Sequence, residues 1–401
     1  MEQPRVPGRY YHQVGVEEGL PTQPPDRPLR VLQVIKCLGH GGAERLLVDM
    51  VAAADPQQMH YEVAYVLRRQ NALVPQILAG GTPVYPLDAA NNADLRWMSA
   101  LRRLLMRRTY DVVHFHLPYA AALGQLVVSS LPRPARPGVV YTEHSLWDRA
   151  RLVNRALVRA SMVRGERVVA VSQASYEHLP PPLRRRATTV VHGVDLSQAD
   201  ALVTRREELR SALRAELGAP DEELVFITVA NLRPEKGYDV LLDAAHAAVE
   251  LGVPVRFAAV GRGPLRDEML ARHAGLGLGE RFVFLGQRDD VLELLAGADA
   301  FVLASRWEGL PVALMEATSV GLPVIASAIG GVPQVLEDET DALLVPPGDV
   351  SALVDAVVRM ASDAGLRQRL GRRAKQRSAM FDITEACRAV GDVYRQVAPA
   401  R

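Results

Sequence analysis

The sequence predicts an α/β protein made of two doubly wound, Rossmann-like domains facing a central cleft. Three observations point there. The 401 residues exceed what one ordinary core serves, so the length implies two to three domains. Short apolar runs alternate with stretches of helical periodicity along the chain, the rhythm of a parallel sheet covered on both faces. That rhythm also starts afresh near residue 224.

In the front half, Leu29–Val34 reads as a first strand. It is followed by Ala43–Ala54, whose Leu46, Leu47, Met50 and Val51 recur at helical spacing. Further strands are expected at Tyr61–Val66, Asp111–Phe115, Gly138–Thr142 and Arg167–Val171. The second half supplies Leu224–Val229, Val255–Val260, Arg281–Phe284, Ala300–Leu303, Pro323–Ala326 and Leu343–Val345, with helices such as Leu310–Ser319 and Val350–Ala361 between them. The expected division is a disordered tail over 1–27, an N-terminal domain over 28–200, a linker over 201–221 that ends at Gly218-Ala219-Pro220, a C-terminal domain over 222–380, and a final helix over 381–401. In open α/β sheets ligands bind at the carboxyl ends of the strands.

Composition excludes several classes. Apolar residues make up 48% and charged residues 23%, as in ordinary globular chains. Two cysteines, Cys37 and Cys387, cannot build a disulfide framework. The longest apolar runs are of strand length, short of the roughly 20 residues of a spanning helix, and the first 27 lack signal-peptide order. A cytoplasmic protein is expected, with no role in nucleic-acid binding. Net charge is +1, yet residues 28–199 hold 21 Lys and Arg against 12 Asp and Glu, while 200–401 hold 23 against 30. The basic front half includes Arg96–Arg108, where Arg102, Arg103, Arg107 and Arg108 flank Leu101, Leu104, Leu105 and Met106, and Arg149–Arg167 with six arginines. Peripheral contact with an anionic membrane at the inner face is one expectation from this pattern, and a solvated basic helix face is the other.

Chemistry concentrates in two motifs. In Arg306-Trp307-Glu308-Gly309-Leu310-Pro311, a glycine permits a tight turn and a proline suits the first helical turn, so a helix N-terminus points N–H groups at whatever sits beside Glu308. Glu316 lies about a turn and a half further on, placed to accept vicinal hydroxyls. In Ala230-Asn231-Leu232-Arg233-Pro234-Glu235-Lys236-Gly237, a loop after a strand carries two cations that can hold two phosphates. Either motif alone would suit a solvated surface; together they describe an anion site. No His/Cys/Asp cluster with metal-ligand spacing accompanies them, and Asp289-Asp290 reads as a helix cap. No cofactor is expected.

With these motifs in place, the stretch from Leu29 to about Val397 resembles the retaining glycosyltransferases of the GT-B architecture, family 4. The matching pieces, in family order, are Gly41-Gly42-Ala43-Glu44, Ala170-Val171-Ser172, His192-Gly193-Val194-Asp195, the Arg/Lys loop, Val260-Gly261-Arg262-Gly263-Pro264, Phe284-Leu285-Gly286, Glu308 with Glu316, and Gly330-Gly331. The resemblance implies transfer of a sugar from a nucleoside diphosphate sugar, uridine- or guanosine-linked, to a glycan, lipid-linked or small-molecule acceptor, with retention and without a metal. It implies that Arg233 and Lys236 neutralise the departing diphosphate and that Glu316 holds the ribose. Glu308 and His144 would lie close to the donor sugar. Gly286, Gln287 and Arg288 would lie along the base, Gly41 and Gly42 would let backbone approach the phosphates, and Asn231, Gly261, Gly309 and Leu310 would complete the donor pocket. It further implies that the final helix, with Ile383, Val390, Val393 and Tyr394 at helical spacing, crosses back to the first domain. The chain departs from the family pattern at Asn231 and His192, where arginine and asparagine are usual, and at Asp341-Ala342, where Asn-Gly is frequent. A nucleotide-sugar epimerase, a phosphorylase and a non-catalytic nucleotide-sugar-binding protein are the competing readings. A dinucleotide oxidoreductase fails because neither Gly39-His40-Gly41-Gly42 nor Gly261-Arg262-Gly263 completes the G-x-G-x-x-G fingerprint.

Overall fold

The computed structural model describes residues 27–144, 146–147, 152–161 and 166–399. The expected tail up to residue 26 and parts of the 149–167 arginine stretch lie outside the described residues. The chain forms two compact units, one of residues 1–193 with 383–401 and the other of residues 194–382.

The first unit is built on a parallel sheet of β1 (Leu29–Ile35), β2 (Met59–Leu67), β3 (Val84–Ala89), β4 (Val112–His116), β5 (Gly138–Glu143), β6 (Arg167–Ala170) and β7 (Ala187–Thr189), in the order β3-β2-β1-β4-β5-β6-β7. β1 and β4 are almost wholly buried, because helices cover both faces and the strands need apolar side chains on each. The outermost strands β3 and β7 escape sequence reading for physical reasons. β3 contains Pro86, which removes a ladder donor and is tolerated only at an edge, and β7 is three residues long.

The second unit carries β8 (Leu224–Val229), β9 (Val255–Val260), β10 (Phe282–Gly286), β11 (Ala300–Leu303), β12 (Val324–Ser327) and β13 (Leu343–Val345) in the parallel order β10-β9-β8-β11-β12-β13. In both sheets the chain winds outward from the first strand in one direction and then returns to its other side. The reversal falls between β1 and β4 in one unit and between β8 and β11 in the other.

Residues 201–221 are not a linker. Most of them lie in two helices, Leu196–Val203 and Arg206–Leu217, and the whole stretch is part of the second unit. The Asp195 carboxylate accepts from the Ser197 and Gln198 N–H groups and caps the first of them. The second is anchored by Arg214, which is 5% exposed and donates to Asp299 at 2.9 Å and to the carbonyls of Pro220, Asp221 and Glu223. Its backbone approaches helix Val291–Gly297 so closely that a Cβ on Gly297 would sit 2.6 Å from the Leu209 carbonyl oxygen. A charged helical stretch before a Gly-Ala-Pro turn looks like a connector until its buried arginine is seen.

The last helix, Ile383–Val397, packs in the first unit, where Ile383, Val390, Val393 and Tyr394 join Leu29, Val31, Ile35 and Val63 in one apolar cluster. Fully burying such side chains contributes about 1.5–3 kcal/mol each. No helix among the described residues is long and apolar enough to cross a membrane.

Candidate active site

The second unit gathers most of the predicted residues at the carboxyl ends of its strands. β8 runs into the loop carrying Asn231, Arg233 and Lys236, β9 into Gly261, β10 into Gly286, Gln287 and Arg288, and β11 into Glu308, Gly309 and Leu310. β8 and β11 are the neighbours at which the winding reverses, the place where open α/β sheets leave a crevice. There Lys236 Nζ meets Glu308 Oε1, and the same carboxylate oxygen accepts from Ser305 Oγ at 3.0 Å. The pair is largely buried, with side chains 20% and 13% exposed, so water screens it little.

Three further contacts staple these loops. Arg306 N–H donates to the Glu235 carbonyl at 2.7 Å. Its guanidinium grips the Asp239 carboxylate through two bonds of 2.7 and 2.5 Å and donates to the Pro234 carbonyl at 3.2 Å. That bidentate grip holds the Asp239 carboxyl below its ordinary range, the hydrogen bond outweighing the opposing effect of burial. Neither Asp239 nor Ser305 is singled out by sequence, since each is informative only once the two loops are neighbours. Arg233, by contrast, is exposed, and its side chain pairs with no described residue. It is the cation of this loop that makes no side-chain contact among the described residues.

Glu316 is half-buried in helix Val312–Ser319, and Pro311 is that helix's N-cap. The next loop, after β12, closes on the Glu308 loop. Gly331 N–H donates to the Gly309 carbonyl at 2.7 Å, and Gly330 has φ +51°, with a Cβ there falling 2.0 Å from the Glu308 carbonyl oxygen. Only glycine admits that approach. On the β9–β10 side, Gly261 N–H donates to the Gly286 carbonyl at 2.8 Å, joining two predicted donor-pocket residues. Arg288 is already engaged with Asp290 (2.8 and 2.6 Å) and Glu216 (2.5 Å), and these bonds raise its pKa above the ordinary arginine value. Asp290 is the N-cap residue of helix Val291–Gly297, but its carboxylate serves Arg288 rather than the helix N–H groups. The expected side-chain cap is therefore absent.

The first unit holds Gly41, Gly42 and His144. Gly41 is the N-cap of helix Gly42–Ala52, and the volume a Cβ at Gly41 would take is filled by the Glu44 carboxylate, 2.1 Å away. Glu44 also accepts from Cys37 Sγ at 3.0 Å; burial foremost, together with that carboxylate, pushes the thiol up to about 12. His144 follows β5 and belongs to a constellation that sequence reading missed. His116 Nδ1 lies 3.0 Å from His144 Nε2, and His116 Nε2 lies 2.8 Å from Gln33 Oε1. Gln33 Nε2 donates to Tyr394 Oη at 2.9 Å. His114 spans Tyr394 Oη (2.7 Å) and Thr142 Oγ1 (2.6 Å). The His192 ring stacks on His144 with centroids 5.4 Å apart and planes 9° from parallel. Burial drives His114, His116 and His144 well below 6.5 and His192 to about 4, so all four rings are neutral. The alternation His114-Phe115-His116 in a strand, which puts both imidazoles on one face, is the signal that would have found them. Leu117, directly after His116, sits at φ +70°, strain of the kind that functional sites retain.

Comparison with known proteins agrees with this geometry. The family profile for Glycosyltransferase Family 4 matches residues 40–198, and that for Glycosyl transferases group 1 matches residues 210–377. A phosphatidyl-myo-inositol mannosyltransferase of Mycobacterium leprae is 30% identical over 308 residues, covering 75% of this chain and 77% of that protein. A UDP-Gal:alpha-D-GlcNAc-diphosphoundecaprenol alpha-1,3-galactosyltransferase of Escherichia coli is 28% identical over 282 residues, 67% of this chain and 71% of that protein. Among solved structures, Anabaena HepE in complex with UDP-glucose superposes with a TM-score of 0.79 at 22% identity, covering 91% of this chain and 98% of that one. Two profiles that between them span most of the sequence, and a relative matched over about three quarters of both chains, show that this chain belongs to glycosyltransferase family 4 and is a glycosyltransferase of the GT-B fold.

Proposed function

We propose that the chain transfers a sugar from a nucleoside diphosphate sugar, uridine- or guanosine-linked, to a glycan, lipid-linked or small-molecule acceptor, retaining the anomeric configuration and using no metal. One observation carries the reading. The loops after β8 and β11 meet at the winding reversal, where Lys236 is paired with Glu308 and Arg233 is left without a partner. The donor's anomeric C–O bond breaks with its electrons passing to the diphosphate, whose charge Arg233 and Lys236 receive. The acceptor oxygen forms the new bond on the same face, and its proton passes to the departing phosphate oxygen. Glu308, held by Ser305 and Lys236, is the second unit's contact to the donor sugar, Glu316 accepts the ribose hydroxyls, and His144 is the sugar contact that the first unit offers. Asn231, Gly261, Gly286, Gln287, Gly309 and Leu310 line the donor, Arg288 borders the base from its carboxylate clamp, and Gly41 and Gly42 meet the phosphates through backbone N–H groups. The relatives support this donor and acceptor class, one being a UDP-galactose transferase on a lipid diphosphate and another a phosphatidyl-inositol mannosyltransferase.

The test incubates purified protein with a panel of nucleotide-sugars, with and without a chelator, and scores nucleoside diphosphate release and the anomer formed. Chelator-insensitive turnover of one donor with a retained anomer is the expected result. Chelator-abolished turnover or an inverted product refutes it. Peripheral contact with an anionic bilayer belongs to the same proposal. Helix Arg96–Arg107 buries Leu101 and Leu105 against its own core, leaving Arg102, Arg103 and Arg107 exposed beside the 48% exposed Met106. Such a face attracts anionic headgroups mainly by charge.

A further inference from the structure

The buried hydrogen bonds behind His144 have a direction. Gln33 turns its Oε1 towards His116 and its Nε2 towards Tyr394. A carbonyl oxygen only accepts, so His116 Nε2 carries a proton. The ring is neutral, so His116 Nδ1 is left with a lone pair, and the group facing it at 3.0 Å, His144 Nε2, must donate. At the other end Tyr394 Oη receives the Gln33 N–H and also hydrogen-bonds Tyr61 and His114 Nδ1, and His114 Nε2 lies 2.6 Å from Thr142 Oγ1. From His144 through His116 and Gln33 to Tyr394, each donor meets one acceptor. Reversing a single bond would set two like atoms against each other in the core, where an unmet polar group is costly. His192, stacked face to face on His144, opposes the ring flip that would exchange its two nitrogens. His144 Nδ1 bonds to no described residue.

We propose that His116, held by Gln33 and Tyr394, is a positioning residue that fixes His144 as a neutral imidazole protonated on Nε2, so that His144 selects the donor sugar by accepting a hydrogen bond from one of its hydroxyl groups at Nδ1. The inference rests on the reading of His144 as a donor-sugar contact. The chain of command is structural: the final helix supplies Tyr394, the first strand supplies Gln33, β4 supplies His116, and the imidazole after β5 receives its orientation. A donor lacking the matching hydroxyl loses one neutral hydrogen bond, about 3- to 10-fold in kcat/KM.

The experiment labels the histidine side chains of the whole protein with 15N and reads long-range proton–nitrogen correlations, with His144 assigned by the signal missing from His144→Ala. Wild type is expected to show His144 with a protonated Nε2 and a bare Nδ1; a protonated Nδ1, or a fast-exchanging mixture, overturns the proposal. In parallel, His116→Phe is expected to lower kcat about 10- to 100-fold, as misplacement of a contacting group does, with donor KM within about 3-fold. His116→Asn, whose Oδ1 replaces the Nδ1 acceptor, should recover most of that loss. A folded His116→Phe with wild-type kcat overturns the positioning role, and if that variant does not fold the wild-type tautomer still decides. His144→Ala with wild-type kcat would remove the reading of His144 as a sugar contact and the proposal with it. An impaired His144→Ala beside an unaffected His116→Phe removes the proposal alone.

Discussion

Acidification to pH 5.5 should destabilise the first unit more than the second. His114, His116 and His192 are 0%, 1% and 3% exposed, and burial lowers the pKa of each. As pH falls below about 6.5 the unfolded chain takes up protons that the folded unit refuses, so the equilibrium moves towards unfolding. The stability these rings leave intact is fully present above pH 6.5 and is lost progressively below it, the window for His192 closing near its folded value of about 4. Between pH 7 and 5.5 each ring accounts for about 1.2 kcal/mol, and the three together for about 4 kcal/mol, a large part of an ordinary domain's 5–15 kcal/mol. Arginine-paired carboxylates such as Asp94 and Glu339 have lowered values and stay charged throughout, so they do not contribute. Trp97 and Trp147 lie in the first unit and Trp307 in the second, so urea titrations of a Trp307→Phe variant followed by tryptophan fluorescence report the first unit alone. A urea midpoint unchanged between pH 7 and 5.5 would refute the reasoning. So would an unchanged pH slope in His192→Phe, which keeps the stacked ring and removes one titrating group.

Lys236→Ala should reduce kcat by about 10²–10³-fold while acceptor KM stays nearly constant, measured by steady-state kinetics; unaltered kcat would unseat Lys236 from the diphosphate. Gly330→Ala should destabilise the second unit by at least about 1–3 kcal/mol and abolish donor-dependent thermal protection, because its Cβ meets the Glu308 carbonyl at 2.0 Å. Truncation after Asp382 removes four buried apolar side chains worth about 6–12 kcal/mol in all, and circular dichroism of the purified fragment should show the first unit unfolded. Sedimentation with phosphatidylglycerol vesicles should be salt-sensitive and should weaken when Arg102, Arg103 and Arg107 become Gln; indifference to vesicles would end the membrane reading.

Much of the architecture was readable because parallel strands buried on both faces leave apolar runs that any periodicity argument detects. All six strands of the second sheet were anticipated within a few residues. Failures occurred where the deciding contact is distant in sequence. Arg214 turns a presumed linker into a packed helix through Asp299, 85 residues away. Arg306 pairs with Asp239 across 67 residues, and Tyr394 reaches His114 across 280. The Arg/Lys and glutamate motifs were visible because each is a short run tied to a strand end. The histidine network was not, since apart from the His114-Phe115-His116 alternation its members Gln33, Thr142, His144, His192 and Tyr394 lie far apart in sequence and carry no local signature. Arg288 shows a subtler gap, as sequence assigned it to a ligand while the fold already supplies it with two carboxylates.

The final helix gives the molecule a peculiar order of assembly. The first unit is interrupted, with residues 194–382 of the second unit intervening before Ile383–Val397 rejoins it. On a ribosome, the inserted unit has all its parts while the first is still missing its closing helix. Until the last turn leaves the exit tunnel, Gln33 and His114 lack Tyr394, and the apolar face that receives the helix is open to water. A nascent chain stalled before residue 383 would thus carry a complete second unit joined to an incomplete first one. The buried histidine network is therefore complete only once Ile383–Val397 has been made.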